Sequence, residues 1–402
     1  GELAQILADF HSHADTSPEI SRYGSQESIG ANLDENFGQI EKYIGIAIPN
    51  GKFQHIKDYS YRFAEKRSGL FKRRTKSGRI RDCHGDVHSA QVCFTPDGVR
   101  IIDCIEFTER FRYCDVASEI AFMAMDLDFH NRHDLSLAFV DAYVSASSDE
   151  EIRELLDFYK VYLACVRGKV ESFRLDDPHL SGNDRVVAQE RARRYFDLAY
   201  AYSLKGQKSA ILAITSGLVG AGKTTVAQAI GAEAGFVVIS SDVVRKRLAG
   251  IPPTSHRYED FDSGIYTQEF SERTYNEMFR LAGRLLQEGY SVVMDATFRH
   301  PEDRIKAVAL SEEAGAQFWA VECVCDEAVV RERLERRVEE DASVSDGRWE
   351  IYLWEKEIAV PLSDVPQGRH LVVDTSRLSL VEAVVTVLEA MELRVPADGA
   401  SR

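Results

Sequence analysis

The chain has 402 residues, 44% apolar and 28% charged, with 65 acidic residues against 49 basic and a net charge of −16. That length predicts two domains, with three as the ceiling at ~150 residues each, and the acidity argues against bulk coating of nucleic acid. The apolar runs, such as Ala210–Ile214 and Val384–Leu388, fall far short of the ~20 residues that span a bilayer, and Gly1–Asp9 has no leader pattern, so membrane, secreted and fibrous classes are excluded.

Residues 1–205 are mostly helical in period. Leu3, Ile6, Leu7 and Phe10 recur at helical spacing, as do Ile152, Leu155, Leu156 and Tyr159. Between them, Val92–Phe94 and Val99–Ile102 flank the turn Thr95-Pro96-Asp97-Gly98 and read as a hairpin. The stretch Arg62–Arg81 carries nine basic residues against the single acid Glu65. Such a reversal suits a groove for RNA or a phosphorylated acceptor, or a solvated helix face. Seven cysteines without a CxxC pair fit a reducing, cytoplasmic setting. Cys83, Cys93, Cys104 and Cys114, with His84 and His88 nearby, match no usual zinc spacing and read as small apolar fillers.

His84-Gly85-Asp86-Val87-His88 precedes the hairpin, and Ile101-Ile102-Asp103 ends it. An Asp in a loop can act as base toward a hydroxyl while a second one beyond a hairpin binds Mg²⁺. Asp86 and Asp103 are therefore candidates for base and metal ligand, against the alternative of turn residues capping a hairpin.

Residues 206–402 alternate strand and helix, with the boundary at Gly206-Gln207-Lys208. Apolar runs at Ala210–Thr215, Phe236–Ile239, Ser291–Met294, Phe318–Val324 and His370–Val373 predict a doubly wound parallel sheet, an α/β domain. After the first run comes Gly217-Leu218-Val219-Gly220-Ala221-Gly222-Lys223-Thr224, which satisfies G-x-x-x-x-G-K-[ST] and leads into the helical run Thr225–Glu233. Glycines let backbone N–H groups turn inward around a triphosphate, and a helix N-terminus adds a favourable field. Gly217 to Thr225 thus form the expected ATP site, with Lys223 bridging the β- and γ-phosphates and Thr224 offering its hydroxyl to Mg²⁺.

No N-K-x-D motif follows, which argues against a switch GTPase, and the third strand ends in the single acid Asp295, placed to hold Mg²⁺. Asp242, after the second strand, is expected to accept a proton from an attacking hydroxyl, or to cap the helix Val243–Leu248. Arg245, three residues on, shares its face and suits an acceptor's phosphate or carboxylate, or a local ion pair. Arg331, Arg333, Arg336 and Arg337 crowd the helix before Glu339–Gly347. On a lid, Arg333 and Arg337 would steady the transferring phosphoryl group; the alternative is a solvated face.

On these motifs residues 209–392 resemble a predicted-kinase family with an AAA-type P-loop, relatives of gluconate, shikimate and polynucleotide 5′-kinases. That resemblance implies Asp242 as general base and Arg245 as ligand of an acceptor phosphate. Together with Ala8-Asp9-Phe10-His11 and Asp115-Val116-Ala117-Ser118-Glu119, the H-G-D-x-H loop resembles the C-lobe of aminoglycoside phosphotransferase-like kinases. Fused, the two halves resemble a bifunctional family from end to end. Two departures stand out: the family's metal-binding Asn is Gln91 here, and an N-lobe of about a hundred residues is expected upstream of Gly1.

The expectation is an ATP- and Mg²⁺-dependent phosphotransferase acting on a hydroxyl of a small metabolite or an oligonucleotide 5′ end. The alternative is a nucleotide-binding regulatory ATPase whose N-terminal half is an inactive kinase-like binding module. No oligomeric state is implied.

Overall fold

The computed structural model describes residues 1–252, 264–340 and 348–393, with the side chains of 337–340 excepted. The chain divides into two compact units, Gly1–Ser203 and Leu204–Arg402.

The first unit is built on helices, the longest being Asn50–Lys66, Ile152–Phe173 and Gly182–Leu204. Its centre is the helix Val116–Phe129, apolar around most of its circumference and buried along nearly its whole length, as such a pattern requires. Asp115 starts it by accepting the Ala117 N–H at 2.9 Å. The same carboxylate takes Arg74 bidentately, Nε and Nη2 both at 2.7 Å. Arg74 also donates to Asp149 at 2.9 and 3.0 Å, and it is 0% exposed. Four short strands complete the unit. Strand β1 (Ile80–Asp82) pairs antiparallel with β4 (Tyr113–Asp115), and β2 (Val92–Thr95) with β3 (Gly98–Ile101), the hairpin the Asp-Gly turn predicts.

The basic stretch 62–81 is neutralised in part inside this unit, with four of its nine basic residues paired to acids. Besides Arg74, Arg67 pairs with Glu154, Arg73 with Glu151 and Arg79 with Asp149, while Arg81 donates to the carbonyls of Ala14 and Gly78. The filler reading of the cysteines holds for Cys83, which is buried, and fails for Cys104, which is exposed because it lies in an irregular segment after β3.

The second unit holds a parallel sheet of five strands: β5 (Ile211–Ser216), β6 (Val237–Ser240), β7 (Val292–Asp295), β8 (Gln317–Val324) and β9 (His370–Asp374), in the order β6-β7-β5-β8-β9. Strand β5 is central and buried at every residue, as a parallel strand covered on both faces must be. Ile211, Ala213, Val293 and Val321 pack there with Ile230 and Val387 from flanking helices. The chain winds from β5 to one edge, then crosses to the other between β7 and β8. A sheet wound this way opens a crevice beyond the carboxyl ends of its central strands. All five predicted strands are present, each within two residues of its expected limits. No helix among the described residues is long and apolar enough to cross a membrane.

Candidate active site

Strand β5 ends at Ser216, and the helix Lys223–Ala234 begins seven residues later, with Gly217–Gly222 between them. Gly217 has φ +130°, and a Cβ there would meet the Cys323 carbonyl oxygen at 2.2 Å, so only glycine lets the loop leave β5 alongside β8. Gly222, at φ +88°, turns the chain into the helix. The first-turn amides of that helix lack intrahelical acceptors and point out of its N-terminus, which makes an anion cradle. Lys223 folds back, its Nζ donating to the Leu218 carbonyl at 2.9 Å.

Asp295 closes the site from β7, paired with Ser240 of β6. Asp295 is 3% exposed; its carboxylate accepts the Thr215 hydroxyl at 3.1 Å and lies beside the Thr224 hydroxyl. Burial pushes this carboxyl above the usual range, opposed by the Thr224 hydroxyl, the Lys223 charge and the Thr215 hydroxyl. The structure therefore brings Lys223, Thr224 and Asp295 together. Beside the loop a cavity of about 280 Å³ is lined by Gly222, Thr225, Arg333, Thr375, Leu378 and Leu380.

Asp242 lies inside the helix Ser241–Leu248, in its first turn. The expected helix start at Val243, with Asp242 as cap, is corrected: Ser240 precedes the helix and makes no side-chain cap bond. Arg245, 8% exposed, donates from Nη1 to the Ile265 carbonyl at 2.8 Å and the Ser271 hydroxyl at 3.0 Å, with its guanidinium over the Tyr266 ring. Its Nε is buried without a partner among the described residues.

Arg333 is fixed to the floor of the site: Nη1 donates to Thr375 Oγ1 at 2.9 Å and Nη2 to the Thr375 carbonyl at 2.8 Å. Its helix, Glu327–Glu340, runs past the start of the expected lid at Glu339. The side chain of Arg337 and residues 341–347 lie outside the described residues.

In the first unit Glu119 accepts the Gly85 N–H at 2.7 Å and pairs with His11 at 2.6 Å, which fixes the loop carrying Asp86. Gln91 Nε2 donates to Asp103 Oδ2 at 3.1 Å, and Asp103 sits at φ +63°. Asp86 lies 3.5 Å from His88 Nε2.

Sequence reasoning missed Thr215, Thr375 and Glu355. Thr375 immediately follows the last strand, where doubly wound folds place ligands, and that position was its signal. Thr215 and Glu355 carry no motif.

Residues 212–353 match the family model described as AAA domain. Uncharacterised proteins of Mycobacterium tuberculosis and Mycobacterium bovis are 30% identical over 336 residues, 83% of this chain. The chain spans 66% of the length of these relatives. Among solved structures, the Mycobacterium tuberculosis APS kinase in complex with AMPPNP and APS is 20% identical with a TM-score of 0.32, covering 46% of this chain and 98% of that one. A gluconokinase from Sinorhizobium meliloti is 21% identical with a TM-score of 0.31, covering 46% and 91%. The assignment these findings carry is local: residues 212–353 of this chain form a P-loop domain that the AAA-domain model matches.

Proposed function

We propose that the C-terminal unit is an ATP-dependent phosphotransferase that moves the γ-phosphoryl group to a hydroxyl of a small metabolite or a nucleic-acid 5′ end. The observation that carries this reading is the convergence of the loop amides, Lys223, Thr224 and the buried Asp295 at the carboxyl end of β5. The cavity beside Gly222 has a size that suits a nucleobase and a mixed lining, with Leu378, Leu380 and Val226 on its apolar side and Arg333, Thr225 and Thr375 on its polar side.

Asp295 and Thr224 offer oxygen only, and a carboxylate buried so deeply gains from a nearby cation, so the donor set fits a hard divalent ion such as Mg²⁺. Bound there, the ion would neutralise charge on the β- and γ-phosphates. Lys223 exchanges the Leu218 carbonyl for phosphate oxygens. The acceptor oxygen bonds to the γ-phosphorus as the bond to the β–γ bridging oxygen breaks. Asp242 takes the hydroxyl proton and ADP leaves with the bonding pair. Arg245 would meet an anionic group on the acceptor. A phosphorylated or polynucleotide partner at 62–81 would meet a reduced charge, since four of the nine basic residues there, Arg67, Arg73, Arg74 and Arg79, are already paired with acids.

One observation favours the second reading, a regulatory ATPase joined to an inactive kinase-like module. Gln91 and Asp103, the metal-ligand pair of the resemblance, satisfy each other. The test is labelled ATP incubated with the protein, a metabolite extract and a 5′-hydroxyl oligonucleotide. Transfer of label, lost in Lys223→Ala and reduced at least ~100-fold in Asp242→Asn with ATP affinity kept, is the expected result. Slow hydrolysis without transfer would select the regulatory reading, and full activity in Lys223→Ala would refute the site.

A further inference from the structure

The third residue of the phosphate loop is held from outside the loop. Val219 donates its N–H to Glu355 Oε2 at 2.7 Å, and Glu355 stands on the helix Trp349–Glu357, 7% exposed. Among the described residues no basic side chain pairs with this carboxylate. A buried carboxylate without a cation is costly, and the backbone amide is what meets it, through a charge-assisted bond stronger than a neutral one.

The helix bearing Glu355 is itself anchored. Tyr352, one turn earlier and 4% exposed, packs with Val330 and Leu334 and against Leu218 and Val219. Lys356 pairs with Glu327 of the preceding helix. Within the loop, the Ala221 N–H is turned back on the Leu218 carbonyl at 3.1 Å. The Val219 amide thus lies at the shoulder of the loop, ahead of the amides of Gly222 to Thr224 that open toward an anion. The loop holds only the carbonyl side of that peptide, through the Ala221 N–H and Lys223 Nζ on the Leu218 oxygen; the N–H side is held by Glu355, while glycines at 217, 220 and 222, all at positive φ, leave the flanking backbone free to choose other conformations.

We infer that Glu355 is a positioning residue of the phosphate loop: by holding the Val219 N–H it keeps the following amides aimed at one point, and so sets nucleotide affinity from a helix outside the motif. The inference rests on the reading of Gly217–Thr224 as a nucleotide site. The role is positioning because the carboxylate reaches the shoulder and leaves the cradle amides to the ligand.

The experiment is calorimetric titration of the whole chain with ADP and magnesium, alongside amide exchange of the segment 216–222, in Glu355→Ala and Glu355→Gln. Glu355→Ala is expected to weaken ADP about tenfold, the usual scale for a lost charge-assisted hydrogen bond, and to speed exchange at Val219. Glu355→Gln keeps an acceptor at the same reach and is expected to restore most of both, which a loss of charge or of general stability would not do. If Glu355→Ala does not fold, Glu355→Asp replaces it, its shorter arm withdrawing the carboxylate with the same expected effect. Unchanged affinity and exchange in Glu355→Ala, or a lowered Tm with affinity intact, would overturn the inference. A parent protein that binds no ADP would overturn the nucleotide reading first, and this inference with it.

Discussion

Asp295 shows how one residue serves two opposed demands. In the ligand-free fold its carboxylate is buried beside two hydroxyls and one ammonium, and its carboxyl is raised because desolvation outweighs them. An acid raised on folding stabilises fully below its unfolded value near ~4 and loses that contribution as pH rises through the folded value. Above that folded value the ionised group works against the fold. Asp295→Asn is expected to raise the Tm of the ligand-free protein at pH 7 by a few degrees, on the order of 1 kcal/mol, while weakening magnesium-dependent nucleotide binding. Calorimetry with and without ligand checks both signs; a fall in Tm would mean that the Thr215 and Thr224 bonds outweigh burial.

Among the elements, the helix Ser68–Lys76 teaches most, because its basic run looks like a surface for anions and one member is a core residue. Arg74 is wholly buried and joins three pieces of chain, its own helix, the start of the helix Val116–Phe129 through Asp115, and the segment at Asp149. Removing one partner of such a network leaves uncompensated charges in the interior. Arg74→Met is expected to destabilise the first unit by ~3–5 kcal/mol, read as a loss of denaturant midpoint without change in slope. A change within ~0.5 kcal/mol, typical of surface sites, would show that water reaches the pair. The glycine-rich loop makes the complementary point: Gly217 is dictated by the approach of the Cys323 carbonyl, whatever the loop binds.

At the scale of the whole molecule, each unit has its own buried core, one around Val116–Phe129 and one around β5. A ligand that binds one unit stabilises that unit by mass action, about 2.7 kcal/mol at a hundred times its Kd. Heating the protein is expected to show two transitions, of which ATP or ADP with magnesium raises one and leaves the other in place. The shifted transition should vanish from the response in Lys223→Ala. A single transition that moves as a whole would show that the units unfold together.

Much of this was legible in the chain itself. The five strands, the loop between β5 and its helix, and Asp295 follow from local rules: buried parallel strands read as apolar runs, phosphate loops need glycines at fixed spacing, and a strand's last residue faces the crevice. The hairpin at Asp97-Gly98 is local for the same reason. What the chain could not announce were partners far apart in sequence. Arg74 looked like its eight basic neighbours until Asp115 and Asp149 closed around it, Arg333 looked like a mobile cation until Thr375 held it, and Glu355 looked like any helix acid until Val219 came within 2.7 Å. Periodicity and motif spacing determined which elements form and where the glycine-rich loop lies. Only tertiary packing decided which charges are free to meet a ligand, because burial and pairing depend on contacts between segments that no local pattern encodes.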